Sequence, residues 1–408
     1  MPRRVAITGI GPVTAIGIGR EAFEAALRRG DGGIAEVTGF EVADDGPLLV
    51  AEVMDLDIKQ YLRSTKAYLD RNSELAFAAC ELAIRDAGLL LDGIDHERFG
   101  LCVGTEWGNL HTVAAFRDSL VTKGPRLVPP FLFPHAYPNT TNSLLSIEYD
   151  VQGFNFNFAG SGCSGAEAVA YAFEAVASGR AEVMVAGGVD ALCAELFAAY
   201  AGAGELSPLQ GQEDGKLGAE GCRPFDPQRN GIVLGEGAAF FVLEAQEHAV
   251  ARGARPLAWL LAASRAGDSG RAMRAVLDAL PDRAPPVAAF ASANGSVRED
   301  GHEAAALLAV FDGATPPVTA VKSLCGETLA AAGPISLAAA IAALAHEEVP
   351  ATGGTKACAF RGLDLCLAPR SLAERPGSKH KLYEVDARRA LIHAADSSGA
   401  AVAFVIQS

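Results

Sequence analysis

The residues of widest chemical scope in this 408-residue chain are eight cysteines and eight histidines, and their spacing limits what they can do. Cys80, Cys102, Cys163, Cys193, Cys222, Cys325, Cys358 and Cys366 form no CxxC pair and have no histidine cluster beside them. Zinc sites need such paired ligands and disulfide frameworks need an oxidising compartment, so reduced thiols in the cytoplasm are expected. No two histidines have ligand spacing, so a metal is not expected either. His248, His302, His346 and His380 read as helix-surface or loop positions. The TGIGPV segment carries an early GxG, but its third glycine is misplaced and no acidic residue follows a second strand at the required distance. A bound dinucleotide is therefore not expected, and no other cofactor is implied.

What could position any chemistry is a regular alternation of elements. Short β-rich apolar runs (RRVAITGIG, GLCVGTEWG, FNFNFAGSG, AEVMVAGGVDA) alternate with alanine-rich amphipathic stretches near residues 21–29, 72–87 and 165–178. GIVLGEGAAFFVLEAQEHAVARG reads as two strands joined by a tight turn and followed by a helix. A second set follows: PLAWLLAASR, a helix at 272–279, PVAAFASANG, a helix at 303–311, PVTAVKSL, an alanine-rich helix and two closing strands. This order predicts a layered α/β fold built from two similar halves. Chemistry in such sheets sits in loops at the strand C-termini, here residues 159–165, 294–301, 322–327 and 393–399. Residues 211–221 and 373–381, polar and aperiodic, are expected as surface loops.

Composition narrows the function classes. Half the residues are hydrophobic and 20% charged, which suits one large or two fused domains with a full core. A net charge of -15 argues against nucleic acid or an anionic membrane as partner. The opening MPRRVAITGIGPVTAIGIG has the basic start of a signal peptide, but its glycines and Pro12 fit a buried strand running into a turn. Residues 329–345 are mostly alanine with Gly333 and Pro334, and read as a core helix too short and too weakly apolar to span a bilayer.

VAITGIGPVTAIG, AEVMVAGGVDA, RPFDPQRNGIVLGEGAAFFVLEAQEHAVARGA and VKSLCGETLAAAG together resemble the β-ketoacyl-acyl carrier protein synthases of the thiolase-like fold. The resemblance covers essentially the whole chain, and the RPFDPQRNGIVLGEGA run is long and specific. It implies a five-layered α-β-α-β-α architecture with two duplicated halves, residues 1–250 and 251–408. It also implies a dimer in which each subunit helps build its neighbour's acyl tunnel. Such an enzyme carries the acyl chain on a thiolate at a helix N-terminus, and two imidazoles stabilise the enolate and oxyanion formed as a malonyl unit decarboxylates.

In register with that pattern, the catalytic groups are missing. A gapless alignment from Tyr149 places the family cysteine on Gly162, which has no side chain to acylate. Cys163 is one position late, and one residue turns a helical side chain by about 100°, so it reads as a buried structural thiol. The two histidine positions fall on Asn294, which can donate a hydrogen bond but not act as an imidazole, and on Glu327, whose carboxylate would repel an oxyanion. Lys322 is retained, but its usual acidic partner in the following helix falls on Ser336. The family's Gly-Phe-Gly-Gly gate corresponds to residues 394–397, Ala-Ala-Asp-Ser.

A scaffold kept without its chemistry describes, within this family, the chain length factor or ketosynthase β. That subunit pairs with an active ketosynthase α and limits the chains built on an acyl carrier protein. The resemblance puts interface and tunnel residues in GTEWGNLHTVAAF and PPFLFPHAYPN. Trp107, with Leu110, His111 and Ala114 at helical spacing, is a candidate tunnel floor, and an ordinary buried interface helix fits those four equally well. Phe133, His135 and Tyr137 come from the second segment. Two alternatives stay open: an active synthase using Cys163 with Asn294 as polar stabiliser, and a malonyl-carrier decarboxylase that primes synthesis. Familiar subunits of this kind often carry Gln where Gly162 stands, so a polyene-type type II polyketide pathway stands beside an aromatic one.

Overall fold

The computed structural model describes residues 2–42, 49–208, 221–282, 284–372 and 388–408. The expected loops at 211–221 and 373–381 lie outside these residues apart from Gly221, and so does His380.

Among the described residues ten strands make the continuous path of one mixed sheet, to which the two-residue strand Gly17–Ile18 adds by pairing with the first: β1 Val5–Thr14, β2 Phe99–Thr105, β3 Asn155–Ala159, β4 Val183–Asp190, β5 Gly237–Ala245, β6 Ala258–Ala266, β7 Ala288–Phe290, β8 Val318–Thr319, β9 Arg389–Ala395 and β10 Ala401–Gln407. The spatial order is β8-β7-β9-β10-β6-β1-β5-β4-β2-β3. Counted within each set of five, both blocks have the order third, second, fourth, fifth, first. The strand directions also agree: β3, β2, β4 and β1 run one way with β5 antiparallel to them, and β8, β7, β9 and β6 run one way with β10 antiparallel to them. The blocks meet where Val5, Ala6 and Ile7 of β1 pair with Leu260, Trp259 and Ala258 of β6.

Alternation along the strands sorts side chains into layers, because successive residues point to opposite faces. Phe241, Ile392 and Phe404 face a central layer made by helices α3 Ser164–Ala177 and α8 Ala332–His346, while their neighbours Phe240, Leu391 and Val405 face outward. The two central helices approach closely, since a Cβ on Gly333 would stand 3.0 Å from that of Ala166. Outside the first block lies α1 Arg71–Asp86, and outside the second lie α5 Ser269–Asp278 and α6 Val297–Val310. Helix, sheet, helix pair, sheet and helix pair make the five layers of a thiolase-like fold. Burying each of these large apolar side chains stabilises it by roughly 1.5–3 kcal/mol.

Two local expectations need correction. Residues 231–235 do not form the first strand of a hairpin. Ile232 bridges Leu206, Leu234 bridges Glu327 and Gly235 bridges Ala51, so this extended segment ties three loops together before β5 begins. The segment Leu329–His346 is long and apolar enough to cross a membrane by length and composition, contrary to expectation, yet 89% of it is buried inside the protein as the expected core helix.

Candidate active-site cavity

The four loops at the strand ends converge on one cavity of about 740 Å³. Gly162 reaches it from the turn before α3, Asn294 from the loop before α6, Lys322 from the short helix α7 Lys322–Cys325 after β8, Glu327 from the turn that follows it, and residues 394–397 from the β9–β10 connection. The chain reverses at Gly326, whose φ of 72° is a left-handed value that suits glycine, and this brings Glu327 back over Lys322.

Lys322 Nζ stands 2.7 Å from Glu327 Oε2 and also donates to Ser292 Oγ at 3.2 Å. Asn294 Nδ2 donates to the same Glu327 oxygen at 2.7 Å, and the Leu329 amide donates to the other at 3.0 Å. Lys322 and Glu327 are 5% and 7% exposed, so neither would be tolerated as a lone charge. Burial works against the Lys322 ammonium, but Glu327 outweighs it and the lysine pKa is raised. The expectation that Lys322 lacks an acidic partner is thereby corrected: the acid sits at 327, while Ser336 is buried within α8.

Two further carboxylates, not singled out in the sequence, face the vacant nucleophile position. A Cβ on Gly162 would lie 3.3 Å from Glu106 Oε2 and 3.2 Å from Asp396 Cβ. Burial, then the charges of Asp190, Glu327 and Asp396, push the Glu106 carboxyl up to about 8. Asp396 accepts from Ser161 Oγ, whose oxygen in turn accepts from the Cys163 amide at 3.0 Å. Cys163 is fully buried, its Sγ is 3.3 Å from the Ala400 carbonyl oxygen, and burial followed by Asp396 pushes its thiol pKa far up. A thiol so placed is not a nucleophile, because the thiolate is the reactive form. Deeper still, His393 Nδ1 lies 2.5 Å from Glu303 Oε1, which also accepts from the Ser292 amide at 2.7 Å.

The remaining expected residues divide. Trp107 lines the cavity, but it precedes the helix α2 Leu110–Lys123 and is not on one stripe with Leu110, His111 and Ala114. Gly108, at φ 60°, makes the turn between them. Leu110 packs in a cluster with Leu192 and Phe197, Ala114 is buried, and His111 borders a second cavity with Arg71 and Cys193. Phe133, His135 and Tyr137 do not line the main cavity. Phe133 and Tyr137 form an edge-on ring pair at 5.2 Å, and His135 packs edge-on against Tyr68. Phe133 and Tyr137, with Val121, Leu127, Phe131 and Phe156, are exposed large apolar side chains, whereas His135 is half-buried. His248 and His346 pair with Glu244 and Glu24 at 2.6 and 2.7 Å, and His302 sits at the rim of the main cavity.

Residues 2–249 match the family described as Beta-ketoacyl synthase, N-terminal domain, and residues 259–356 match Beta-ketoacyl synthase, C-terminal domain. The chain is 31% identical over 367 residues to 3-oxoacyl-acyl-carrier-protein synthase 2 of Synechocystis sp., covering 86% of this chain and 87% of that protein. It is 30% identical over 387 residues to the synthase of the same name from Vibrio harveyi, covering 90% and 92%. Among solved structures, the ishigamide ketosynthase/chain length factor superposes with a TM-score of 0.88 at 25% identity over the full length of both chains. A β-ketoacyl synthase from Burkholderia phymatum superposes with a TM-score of 0.85 at 26% identity over 99% of each.

Proposed function

The chain belongs to the β-ketoacyl synthase family, and from that premise we propose that it is a non-catalytic chain length factor of a type II polyketide ketosynthase. In this reading it acts in the cytoplasm beside an active ketosynthase α that extends chains held on an acyl carrier protein. Its halves, residues 1–250 and 251–408, supply Gly162 and Trp107 on one side of the cavity and Asn294, Lys322 and Glu327 on the other.

The observation that carries the reading is the closed set of contacts among Asn294, Glu327 and Lys322. Condensation needs donors aimed at a developing oxyanion. Here Glu327 pairs the lysine charge and accepts from the asparagine amide, and no side chain at 162 can hold an acyl group. Likeness to a ketosynthase/chain length factor over the whole chain supports the same conclusion. A decarboxylase role is disfavoured on charge. A malonyl carboxylate would meet the Asp396 and Glu327 carboxylates with Lys322 already paired.

The partner's place is supported by the exposed apolar side chains Val121, Leu127, Phe131, Phe133, Tyr137 and Phe156, the last on the edge strand β3. An apolar group of this size beside an unpaired strand edge is what an obligate interface covers. Co-expression with a ketosynthase that keeps Cys-His-His tests this. A stable one-to-one heterodimer is expected, and a stable monomer indifferent to that partner would overturn the reading.

A further inference from the structure

Asp190 ends β4 as a carboxylate that is 1% exposed. Its hydrogen-bond donors are one hydroxyl and three backbone amides, with no lysine, arginine or histidine among them. Oδ1 accepts from Thr105 Oγ1 at 2.9 Å and from the Trp107 amide at 3.0 Å, and Oδ2 accepts from the Glu106 and Ala330 amides, both at 2.9 Å. Burial pushes the carboxyl up to about 6, so it is ionised at neutral pH and above. A charge held in the interior by amides is costly, and one that spans two chain segments holds those segments together.

The two segments are the loop after β2, which carries Trp107, and the turn after Glu327, which leads into α8. The turn is the fixed side. Its Ala330 carbonyl oxygen sits against Gly165 of α3 and Gly188 of β4, where a Cβ would collide with it. Leu329 holds φ 54°, a left-handed value that is costly for leucine; its own amide is taken by Glu327 and the next one by Asp190. The Leu329 side chain lines the main cavity and packs with Leu196 and Phe197 of helix α4 Ala194–Gly202. The Trp107 loop is the tethered side. Thr105 Oγ1 accepts from the Gly108 amide at 2.9 Å and closes that loop, and Asp190 ties it to Ala330.

We propose that Asp190 is a positioning residue that clasps the Trp107 loop to the Ala330 turn and so fixes where the wall against the growing acyl chain stands. This rests on the chain length reading above. Asparagine keeps the size of the side chain but has one carbonyl oxygen in place of two, and its NH₂ group would face backbone N–H groups. It can serve one segment and repels the other.

The test uses the assembled heterodimer with carrier protein and reads chain lengths by mass. Asp190→Asn is expected to raise the proportion of chains one or more units longer by about 3- to 10-fold, the range set by losing one net hydrogen bond. In a Trp107→Ala background, where the wall is already gone, it should add nothing. Val185→Ala truncates a buried side chain on the outer face of the same strand, so it lowers stability but should leave the products unchanged. If Asp190→Asn does not assemble, Thr105→Val removes one donor of the clasp, keeps the carboxylate and should lengthen products by at least about 2-fold. An unchanged distribution in the variant that assembles, an equal increment in the Trp107→Ala background, or equal lengthening by Val185→Ala would overturn the positioning role. Trp107→Ala separates the two claims. If it lengthens products while the clasp variant is silent, only the positioning role fails; if Trp107→Ala is silent as well, the chain length reading falls with it.

Discussion

Lys322 Nζ and Glu327 Oε2 are 2.7 Å apart in the wall of the main cavity, both buried, five residues apart in sequence and on opposite sides of a glycine turn. Removing one member of a buried pair leaves the other uncompensated. Glu327→Gln should therefore lower the unfolding free energy by about 3 kcal/mol, checked by denaturant melts of the heterodimer subunit. A loss below about 0.5 kcal/mol would show that the lysine finds another partner.

The same pair bears on reactivation. Installing Gly162→Cys, Asn294→His and Glu327→His together removes the lysine's counterion and sets the new thiol beside Asp396, whose carboxylate opposes thiolate formation. Condensation by this triple variant should stay at least about 100-fold below that of the active partner. Equal rates would mean the surrounding charges matter little.

Cys163→Ala should reduce turnover of the complex by less than ~2-fold and stability by roughly 1 kcal/mol, because the buried thiol fills space and makes one weak hydrogen bond to the Ala400 carbonyl oxygen. Turnover and thermal melting measure both. Abolished turnover in an intact heterodimer would reassign the thiol.

Trp107→Ala should lengthen the products without abolishing condensation. Replacing the indole by a methyl opens room for several methylenes, each worth about 0.8 kcal/mol when buried. Product masses decide it, with gel filtration confirming that the dimer persists.

Glu106 gives a pH signature. Its carboxyl titrates near 8 when folded against 4.5 ordinarily. Below 4.5 the proton is bound in both states, and between 4.5 and 8 only the folded state keeps it, so stability falls as pH rises through this window and levels off above it. Glu106→Gln removes the slope, and its stability advantage over the parent should grow by about 1 kcal/mol or more between pH 5 and 9. Parallel stability curves would contradict the carboxyl's placement.

Much of this site was legible in the sequence because strand-end loops converge in any layered α/β fold. That argument alone brings Gly162, Asn294, Lys322, Glu327 and residues 394–397 to one place. The Lys322–Glu327 pair was not legible: the spacing is not that of helix neighbours, and only the left-handed turn at Gly326 folds the carboxylate back. Glu106 and Asp396 were missed because each is a single acid in a loop, and their meaning comes from facing each other across Gly162. The grouping of Trp107 with Leu110, His111 and Ala114 failed because Gly108 breaks the helix register between them. Residues 231–235 have strand composition but find loop partners, which local pattern cannot foresee.

The central claim is that this chain takes no acyl group itself. Incubating the heterodimer with acyl-loaded carrier protein and weighing both subunits intact tests it directly. The predicted result is one acyl group on the partner's cysteine and an unmodified mass for this chain, whereas an acyl adduct mapped to Cys163 would contradict the account.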